Sequence, residues 1–229
     1  MLIFIDKKAP EQAKETLKKH GEVVEFFTEN ICYEAISGHP DIFMTQVDGR
    51  LIVAPNLPEV FNALLTEKKI VFSIGEKPVG SKYPETSFYN AVITGKFLIH
   101  QTGQTDDSIQ LKCLQKTKIS VKQGYTRCNL IAINNEKMIT SDQGIYQQLS
   151  KNGIETLFVD PRGIVLPTFD HGFFGGTCGI SGNKLFITGN LRYFSEGKNV
   201  RSFIEDAGME IVELYKGPLF DGGGIFFVE

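Results

Sequence analysis

Five short segments combine side chains that can do chemistry with small residues that leave room for a ligand. Histidine is the common general base of enzymes, a cysteine thiolate is a strong nucleophile, and carboxylates bind planar cations. Glycine lets the backbone or a ligand approach closely. Each segment precedes an apolar run, so a shared site requires a fold that gathers five strand starts. In chain order they are His39-Pro40-Asp41, Tyr89-Asn90, Cys128-Asn129, Gly175-Gly176-Thr177-Cys178 and Asp221-Gly222-Gly223-Gly224.

A repeat provides the strands that follow these segments. Four stretches share the order apolar strand, tight turn, one cation, apolar strand, and they span residues 47–53, 93–99, 133–139 and 181–187. Their turn pairs, Asp-Gly, Thr-Gly, Asn-Asn and Gly-Asn, suit the positive φ of hairpin turns. The cations follow one another at about 40 to 47 residues and are Arg50, Lys96, Lys137 and Lys184. A fixed period of this length indicates a repeat architecture.

Each hairpin is followed by an amphipathic helix and a short strand. The spacing of apolar residues predicts helices over residues 58–68, 106–115, 142–151 and 196–207. Asp106 and Asp142 are expected to cap two of these helices, and Gly153 and Gly208 suit helix ends. Short strands are predicted to follow at residues 70–72, 119–121, 156–159 and 211–214.

The two chain ends divide a fifth copy between them. Residues 2–5, 11–19 and 23–27 predict strand, helix and strand, and residues 225–228 supply the missing hairpin strand. We predict that the ends pair in one sheet, because this closes a circular array without an open edge. The chain is then a single domain over residues 1–229, an α/β fold in the form of a five-fold pseudosymmetric β/α-propeller of strand-strand-helix-strand units. An ordinary α/β chain without ring closure is the alternative. The predicted units span roughly residues 222–229 with 1–38, 39–86, 87–125, 126–174 and 175–221.

In a ring of such units, the first strand of each hairpin lies nearest the axis. The five polar segments would then converge on one axial site. Three linkers are long, at residues 28–38, 75–87 and 160–176, and long loops in a compact domain are often functional. The third of them contains His171, which is predicted to lie over the axis as part of a lid.

The repeat and three motifs resemble the pentein fold of guanidino-group-modifying enzymes. The segment His39-Pro40-Asp41-Ile42-Phe43 is similar to the family's H-x-D-apolar-apolar motif, which carries the catalytic base and a guanidinium-binding carboxylate. The segment Asp221-Gly222-Gly223-Gly224 is similar to the acidic-Gly-Gly motif, which supplies another substrate carboxylate. The segment Gly175-Gly176-Thr177-Cys178 resembles the Gly-rich approach to the nucleophilic cysteine. Members of this family include arginine and agmatine deiminases, dimethylarginine hydrolases, amidinotransferases and ribosome anti-association factors.

The resemblance implies a hydrolase- or amidinotransferase-like protein with an axial site for a small guanidine- or amide-bearing molecule. In such chemistry a thiolate attacks the planar carbon, and an imidazole carries protons to the leaving amine. Cys178 and His39 would be the catalytic pair. No cofactor and no metal ion is expected. The residues expected to bind the substrate are Asp41, Asp221, Asn90, Asn129, His171 and Gly176.

The sequence departs from the family pattern at the nucleophile. In the enzymes the cysteine comes last, in the unit next to the H-x-D unit around the ring. Here that unit begins Ser87-Phe88-Tyr89-Asn90, without a thiol. Cys128 follows Tyr125-Thr126-Arg127, which resembles a substrate-binding segment of arginine deiminases with cysteine in place of an acid. Cys128 is therefore the alternative nucleophile. The alternative function is a ring that binds a ligand or partner without catalysis.

Each candidate also has a structural interpretation. His-Pro-Asp is a frequent turn whose aspartate caps a backbone N–H, and an aspartate before three glycines also suits a turn. Cys178 can be a small residue at a crowded axis, and Cys32 and Cys113 are interpreted as packing residues.

The composition limits the partners of the chain. A net charge of −3 gives no attraction to nucleic acid or to an anionic membrane. The four cysteines form no C-x-x-C pair, which argues against a zinc site, and a disulfide framework is not expected. No stretch approaches the roughly 18 apolar residues of a membrane span, and the first residues do not resemble a signal peptide. A cytoplasmic protein with a small-molecule substrate is expected, and the sequence does not indicate its oligomeric state.

Overall fold

Five sheets of three strands each form the framework of the computed structural model, which describes residues 1–229. Three short 3₁₀ turns, at Glu34–Ile36, Gly175–Thr177 and Leu191–Tyr193, complete the regular structure. The strands are β1 (Leu2–Asp6), β2 (Glu22–Phe26), β3 (Met44–Val47), β4 (Arg50–Val53), β5 (Phe72–Ile74), β6 (Val92–Ile93), β7 (Phe97–His100), β8 (Thr117–Ser120), β9 (Leu130–Ala132), β10 (Lys137–Thr140), β11 (Glu155–Phe158), β12 (Cys178–Ser181), β13 (Lys184–Ile187), β14 (Glu210–Glu213) and β15 (Phe226–Val228). The helices are α1 (Glu11–Leu17), α2 (Pro40–Phe43), α3 (Glu59–Glu67), α4 (Asp107–Lys112), α5 (Thr126–Asn129), α6 (Gln143–Lys151) and α7 (Gly197–Glu205).

Every sheet has the same strand pattern. A middle strand pairs antiparallel with the first strand of a hairpin and parallel with a third strand, which follows a helix. In the first hairpin Val47 pairs with Arg50, and the turn residues Asp48 and Gly49 have φ values of 49° and 77°. These positive values are the geometry that the Asp-Gly pair predicts for a two-residue turn. The same order recurs in the sheets β6-β7-β8, β9-β10-β11 and β12-β13-β14.

The fifth sheet joins the two ends of the chain. Strand β15 pairs antiparallel with β1, with Leu2 opposite Val228 and Phe4 opposite Phe226. Strand β2 pairs parallel with β1 on its other side. All five residues of β1 and all three of β15 are buried, so this sheet is part of the core. The prediction that residues 225–228 lie beside residues 2–5 is confirmed.

The helices between the second and third strands lie close to their predicted positions. Asp106 accepts a hydrogen bond from the Ser108 backbone, and Asp142 accepts one of 2.7 Å from the Ile145 backbone. Both side chains therefore cap helix N-termini, as predicted. Gly153 and Gly208, with φ values of 71° and 75°, follow α6 and α7. The longest helices have nine residues, and none has the length and apolar character needed to cross a membrane.

Single helical turns precede three of the hairpins, where the sequence indicated only polar strand starts. Helix α2 precedes β3, helix α5 precedes β9, and the 3₁₀ turn Gly175–Thr177 precedes β12. Pro40 favours the first of these turns, because proline suits the first position of a helix. These turns bring several of the candidate side chains to one side of the core.

Candidate active site

A cavity of about 150 Å³ lies beside these helical turns. Most of its wall is aromatic or aliphatic, contributed by Tyr33, Ile36, Tyr125, Leu166, Phe169 and Phe173. The four polar side chains that line it are His39, Cys128, His171 and Asp221. The cavity therefore combines an apolar wall with a small number of convergent polar groups, which is typical of small-molecule sites.

His39 and Asp41 flank the first residue of α2, and both side chains are completely buried. Neither ring nitrogen of His39 makes a hydrogen bond of normal geometry, and Asp41 Oδ1 has no partner. Burial lowers the pKa of His39 to about 3, so the imidazole of the unliganded site is neutral and only weakly basic. Buried polar atoms without partners are rare in folded proteins, and here they lie next to a cavity.

Cys128 lies on α5, and its thiol contacts two other segments. Its Sγ is 3.0 Å from Asp41 Oδ2, and the Asn90 side chain donates to it from 3.3 Å. Asn90 Oδ1 in turn accepts a hydrogen bond from the Cys128 backbone. One ligand atom from each of His39, Asp41 and Cys128 lies within 4.8 Å of the other two. Burial, then the charges of Asp41 and Asp221, raise the pKa of the thiol well above its ordinary value. The resting group is therefore a thiol that donates to Asp41.

Asp221 lies at the turn before β15 and is also buried. It accepts hydrogen bonds from the Phe173 and Gly223 backbone N–H groups, at 2.9 and 3.1 Å. Burial raises its pKa to about 7. A Cβ added to Gly176 would overlap Asp221 Oδ1, and one added to Gly223 would overlap His39. The glycines of both motifs therefore bring backbone close to the polar side chains.

Asp6, at the end of β1, is a component of the site that the sequence analysis did not identify. Its Oδ2 lies 3.8 Å from His39 Nε2, and its Oδ1 accepts from the Lys8 backbone at 2.7 Å. Burial raises its pKa to about 6. No other middle strand of the repeat ends in an acid, so the repeat pattern gives no signal for Asp6. A carboxylate in this position can orient the imidazole.

Arg127 is the cation nearest in sequence to the thiol, but its guanidinium is bonded elsewhere. It donates to Gly175 O at 2.6 Å and to Cys178 O at 2.8 Å, and it lies over the Phe226 ring. Its charge lowers the pKa of Asp41, but burial outweighs this and leaves that pKa at about 6. The buried carboxylates Asp6, Asp41 and Asp221 thus have no direct salt bridge to Arg127.

Cys178 has a different environment from the one expected of a nucleophile. Its side chain is fully buried in an apolar cluster with Ile131, Phe174 and Ile187. Its Sγ lies 3.2 Å from Thr177 Oγ1 and makes no hydrogen bond to an acid or a histidine. Burial raises the pKa of this thiol to about 12. Cys178 as the attacking thiol stays a prediction, and the structure provides no base beside it.

The other predicted residues divide into two groups. His171 lines the cavity, with Nδ1 2.9 Å from Gly172 O, and Asn90 binds Cys128. Asn129 instead donates to Tyr125 O and accepts from Ser141, so it holds the turn of α5 rather than lining the cavity. Tyr33 and Phe169 were missed, because their loops show no repeat pattern that fixes their place.

His39, Asp41 and Cys128 also form a set of donors for a metal ion. Imidazole nitrogen, carboxylate oxygen and thiolate sulfur are the ligands that proteins use for Zn²⁺. The three donors come from two separate segments, so the absence of a C-x-x-C pair did not bear on this site. These three donor atoms could together hold a divalent cation.

Solved structures with this fold include three guanidino-modifying proteins. The chain matches an agmatine deiminase from C. jejuni with a TM-score of 0.53 and 10% identity, over 85% of this chain and 70% of that one. It matches a DDAH from Pseudomonas aeruginosa, a cysteine-to-serine mutant complexed with citrulline, with a TM-score of 0.56 and 8% identity, over 90% and 80%. It matches SxtG, an amidinotransferase from Microseira wollei, with a TM-score of 0.56 and 10% identity, over 92% and 87%. At these identities the likeness shows the fold, and the resemblance to the pentein fold is confirmed.

Comparison at the level of sequence assigns the chain to one protein family. No curated protein matches the chain. One family model matches residues 4–226, nearly the whole length. Its description is "Family of unknown function (DUF6873)". The chain therefore belongs to the family of unknown function DUF6873 and has the fold of the pentein superfamily.

Proposed function

We propose that this protein is a cysteine-dependent enzyme that cleaves a C–N bond in a small guanidine- or amide-bearing molecule, with Cys128 as the nucleophile and His39 as the base. The observation that carries the proposal is the cluster of Cys128, His39 and Asp41, whose ligand atoms lie within 4.8 Å of one another, beside a cavity that Cys128 and His39 line. A nucleophile and a base within reach of each other are the minimum requirement for covalent catalysis.

The charges at the cavity favour a cationic substrate. Asp41 and Asp221 are buried, and both pKa values are raised, to about 6 and about 7. Unpaired charges in a protein interior are costly, whereas a planar cation that pairs with a carboxylate removes that cost. A guanidinium presents several N–H donors to carboxylates and to free acceptors such as Asp41 Oδ1.

The bound cation also provides a way to activate the thiol. The carboxylates that raise the pKa of Cys128 would be neutralised by the ligand, and the ligand's own charge lowers that pKa. The S–H proton then passes to His39, which is neutral before the reaction and has both ring nitrogens free. Distances in an unliganded site commonly shorten when the substrate binds.

The proposed reaction has two stages. Cys128 Sγ attacks the planar carbon to form a C–S bond, and the C–N bond to the leaving amine breaks as His39 returns the proton to that nitrogen. Water, deprotonated by His39, then attacks the same carbon, and the C–S bond breaks to release the thiolate, which takes back the proton. If an amine takes the place of water in the second stage, the result is group transfer instead of hydrolysis.

A cationic electrophile tests this assignment. A haloacetamidine carries the planar cation, and its neutral amide analogue does not. We expect alkylation of Cys128 by the amidine to be much faster than by the amide, with the modified residue identified by peptide mass spectrometry. Cys128→Ser should abolish the modification, and Cys178→Ser should leave it unchanged. Modification of Cys178 alone, or an equal rate for the two reagents, would contradict the proposal.

The proposed site also depends on ring closure of the five units. Two observations support a closed ring. The Gln46 side chain in β3 donates to Phe227 O in β15 at 2.8 Å, which links the unit of residues 39–86 to the unit that joins the chain ends. A second cavity, of about 170 Å³, is lined by residues of all five first strands, among them Gln46, Val92, Leu130, Ile180 and Phe226. These strands would then surround one axis, with the polar cluster at one end.

A site that binds a cation without turnover is the second candidate. The raised pKa of Cys128 and the absence of a thiol in the unit that begins at Ser87 favour it. Binding of a guanidinium to the protein with no adduct on Cys128 in any condition would select this alternative.

A further inference from the structure

The wall of the site cavity has no permanently cationic side chain. Its lining contains no lysine and no arginine, and its polar members are two histidines, a thiol and a carboxylate. Arg127, the nearest guanidinium in sequence, is held by two backbone carbonyls. Lys8, close to Asp6, is paired with Glu34 at 2.9 Å. An anionic group of a ligand would find no lysine or arginine to pair with in this cavity.

The acids around the cavity act against an anionic group as well. Asp221 lines the cavity, and the buried side chains of Asp41 and Asp6 lie next to Cys128 and His39, which also line it. A second negative charge placed among them would be repelled at short range, and burial weakens the screening by solvent. The end of the ligand that lies among these acids is thus expected to be a cation, and a carboxylate held inside the cavity would be repelled.

Phe169 in the cavity wall is 53% exposed, so its side of the cavity meets solvent and is here called the mouth, and its walls favour an apolar remainder of the ligand. Tyr33 and Phe169, from two different loops, lie with ring centroids 6.4 Å apart. Thr168, directly before Phe169, has a φ of 74°, an unfavourable conformation for a β-branched residue that fixes the direction of the loop. Tyr33 is held from the other side by a contact of 3.2 Å between its hydroxyl and that of Tyr125. Two aromatic rings therefore flank the place where the far end of a ligand would emerge.

We propose that the site selects small alkyl- or aryl-substituted guanidinium or amidinium ions that carry no carboxylate, and that it excludes amino-acid substrates of the arginine type. The inference rests on the proposed function and specifies its substrate class. The cavity, at about 150 Å³, is well below the ~300–1,000 Å³ of drug-sized sites, so the ligand is small. The aromatic walls add cation–π and apolar contacts to the ion pairing.

Binding to the Cys128→Ser protein, measured by calorimetry, tests the selection without interference from turnover. The probes are n-butylguanidinium, arginine, which adds a carboxylate and an amino group, and n-butylurea, which lacks the positive charge. We expect n-butylguanidinium to bind about tenfold or more tightly than either of the others. Arginine binding as tightly as n-butylguanidinium would overturn the inference, and so would the failure of any guanidinium to bind.

A change at the mouth sharpens the test. Phe169→Arg introduces a cation there, and Phe169→Gln removes the ring without adding charge. Against Phe169→Gln, we expect Phe169→Arg to bind arginine about tenfold more tightly and n-butylguanidinium equally well. An unchanged affinity for arginine would mean that the carboxylate end of arginine does not approach the mouth. The inference that the site excludes arginine would then fail.

The outcomes separate this inference from the proposed function. If n-butylguanidinium binds more tightly than arginine while no haloacetamidine adduct forms on Cys128, the proposed substrate selection stands and the catalytic role of Cys128 fails. If the adduct forms while arginine binds as well as n-butylguanidinium, the catalytic role stands and the selection fails.

Discussion

Cys128 and Cys178 lie in neighbouring repeats, each at the junction between a short helical turn and a first strand, yet their surroundings differ completely. Cys128 is two residues before β9, and its thiol meets Asp41 and Asn90. Cys178 is itself the first residue of β12, and its thiol packs among apolar side chains. In its own repeat the residue two before the strand is Gly176, which leaves space for Asp221. A shift of two residues therefore separates a thiol at a polar site from a thiol in the core.

The position of a residue within the repeat, more than its type, therefore decides what its side chain can do. The first residue of β9 is Leu130, which is buried in another apolar cluster. The first residue of the first strand is thus a core residue in both repeats. The residue two positions before it, here called the site position, lies at the polar site. Charged substitutions at the two cysteines probe this rule most directly.

Replacement of each cysteine by aspartate should give the largest difference, which is a difference in unfolding free energy between the two variants. Cys178→Asp places a carboxylate in an apolar cluster with only Thr177 as a polar neighbour. We expect this to cost more than about 4 kcal/mol of unfolding free energy. Cys128→Asp meets the Asn90 donor and can share a proton with Asp41, so a cost below about 2 kcal/mol is expected. Urea unfolding of both variants at pH 6 measures the difference, and equal costs would remove the distinction between the two environments.

Removal of the base should have the next largest effect, on rate. His39→Gln retains a polar side chain but cannot take the thiol proton, and general bases commonly contribute about 10²–10⁴-fold. We expect alkylation of Cys128 by a haloacetamidine to slow by about a hundredfold or more. The control is His171→Gln, which changes a lining residue of the same cavity and should slow it only slightly. A larger loss in the control would move the role of base to His171.

Much of the fold was predictable from the sequence, because it follows from local patterns. The turn pairs predicted the hairpins, and Asp106 and Asp142 predicted the starts of two helices. The additional strand at residues 225–228 predicted that the chain ends pair. Hairpin turns and caps depend on a few adjacent residues, so one sequence is enough to recognise them.

The site was only partly predictable, because its parts meet through long-range packing. His39 and Asp221 were recognised from their motifs, and both line the cavity. The choice between the two cysteines depended on where a helical turn ends and a strand begins, and boundaries of this kind are not resolved by residue patterns. Asp6 comes close to His39 only through the sheet that joins the chain ends.

Gly176 lies two residues before β12, as Cys128 lies two residues before β9. A substitution at Gly176 therefore tests whether this position faces the site in the repeat of Cys178. A Cβ there would overlap Asp221 Oδ1, so Gly176→Ala should displace this carboxylate, with a cost of about 1–3 kcal/mol. Binding of n-butylguanidinium should weaken at the same time. Gly95→Ala is the matched control, because its nearest neighbour is the Asn135 side chain at 3.4 Å. Tight binding retained in Gly176→Ala would mean that Asp221 does not contact the ligand.

The smallest expected effect is a pH-dependent one at Asp221, and its sign follows from burial. The folded-state pKa of Asp221, about 7, lies above the ordinary 3.8, so folding stabilises the protonated form. This contribution is fully present below about pH 4 and is lost as the pH rises through about 7. Other groups act in the opposite direction, since burial lowers the pKa of His39 to about 3 and that of His100 to about 4. The comparison of a variant with the unmodified protein at each pH removes these shared contributions.

Asp221→Asn should therefore gain stability relative to the unmodified protein as the pH rises from 5 to 8. Asparagine keeps one oxygen that can accept from the Phe173 or the Gly223 backbone N–H group and loses the other acceptor at any pH, but it carries no charge to bury. Urea unfolding free energies at several pH values measure the difference, and Asp170→Asn, an exposed change on the nearby loop, should give a difference that does not vary with pH. A guanidinium ligand should reduce the relative gain at pH 8, because the ionised carboxylate then has a partner that asparagine cannot match. A difference that is constant from pH 5 to 8 would mean that solvent reaches Asp221, and the cavity would lose the acid that distinguishes it from the core around Cys178.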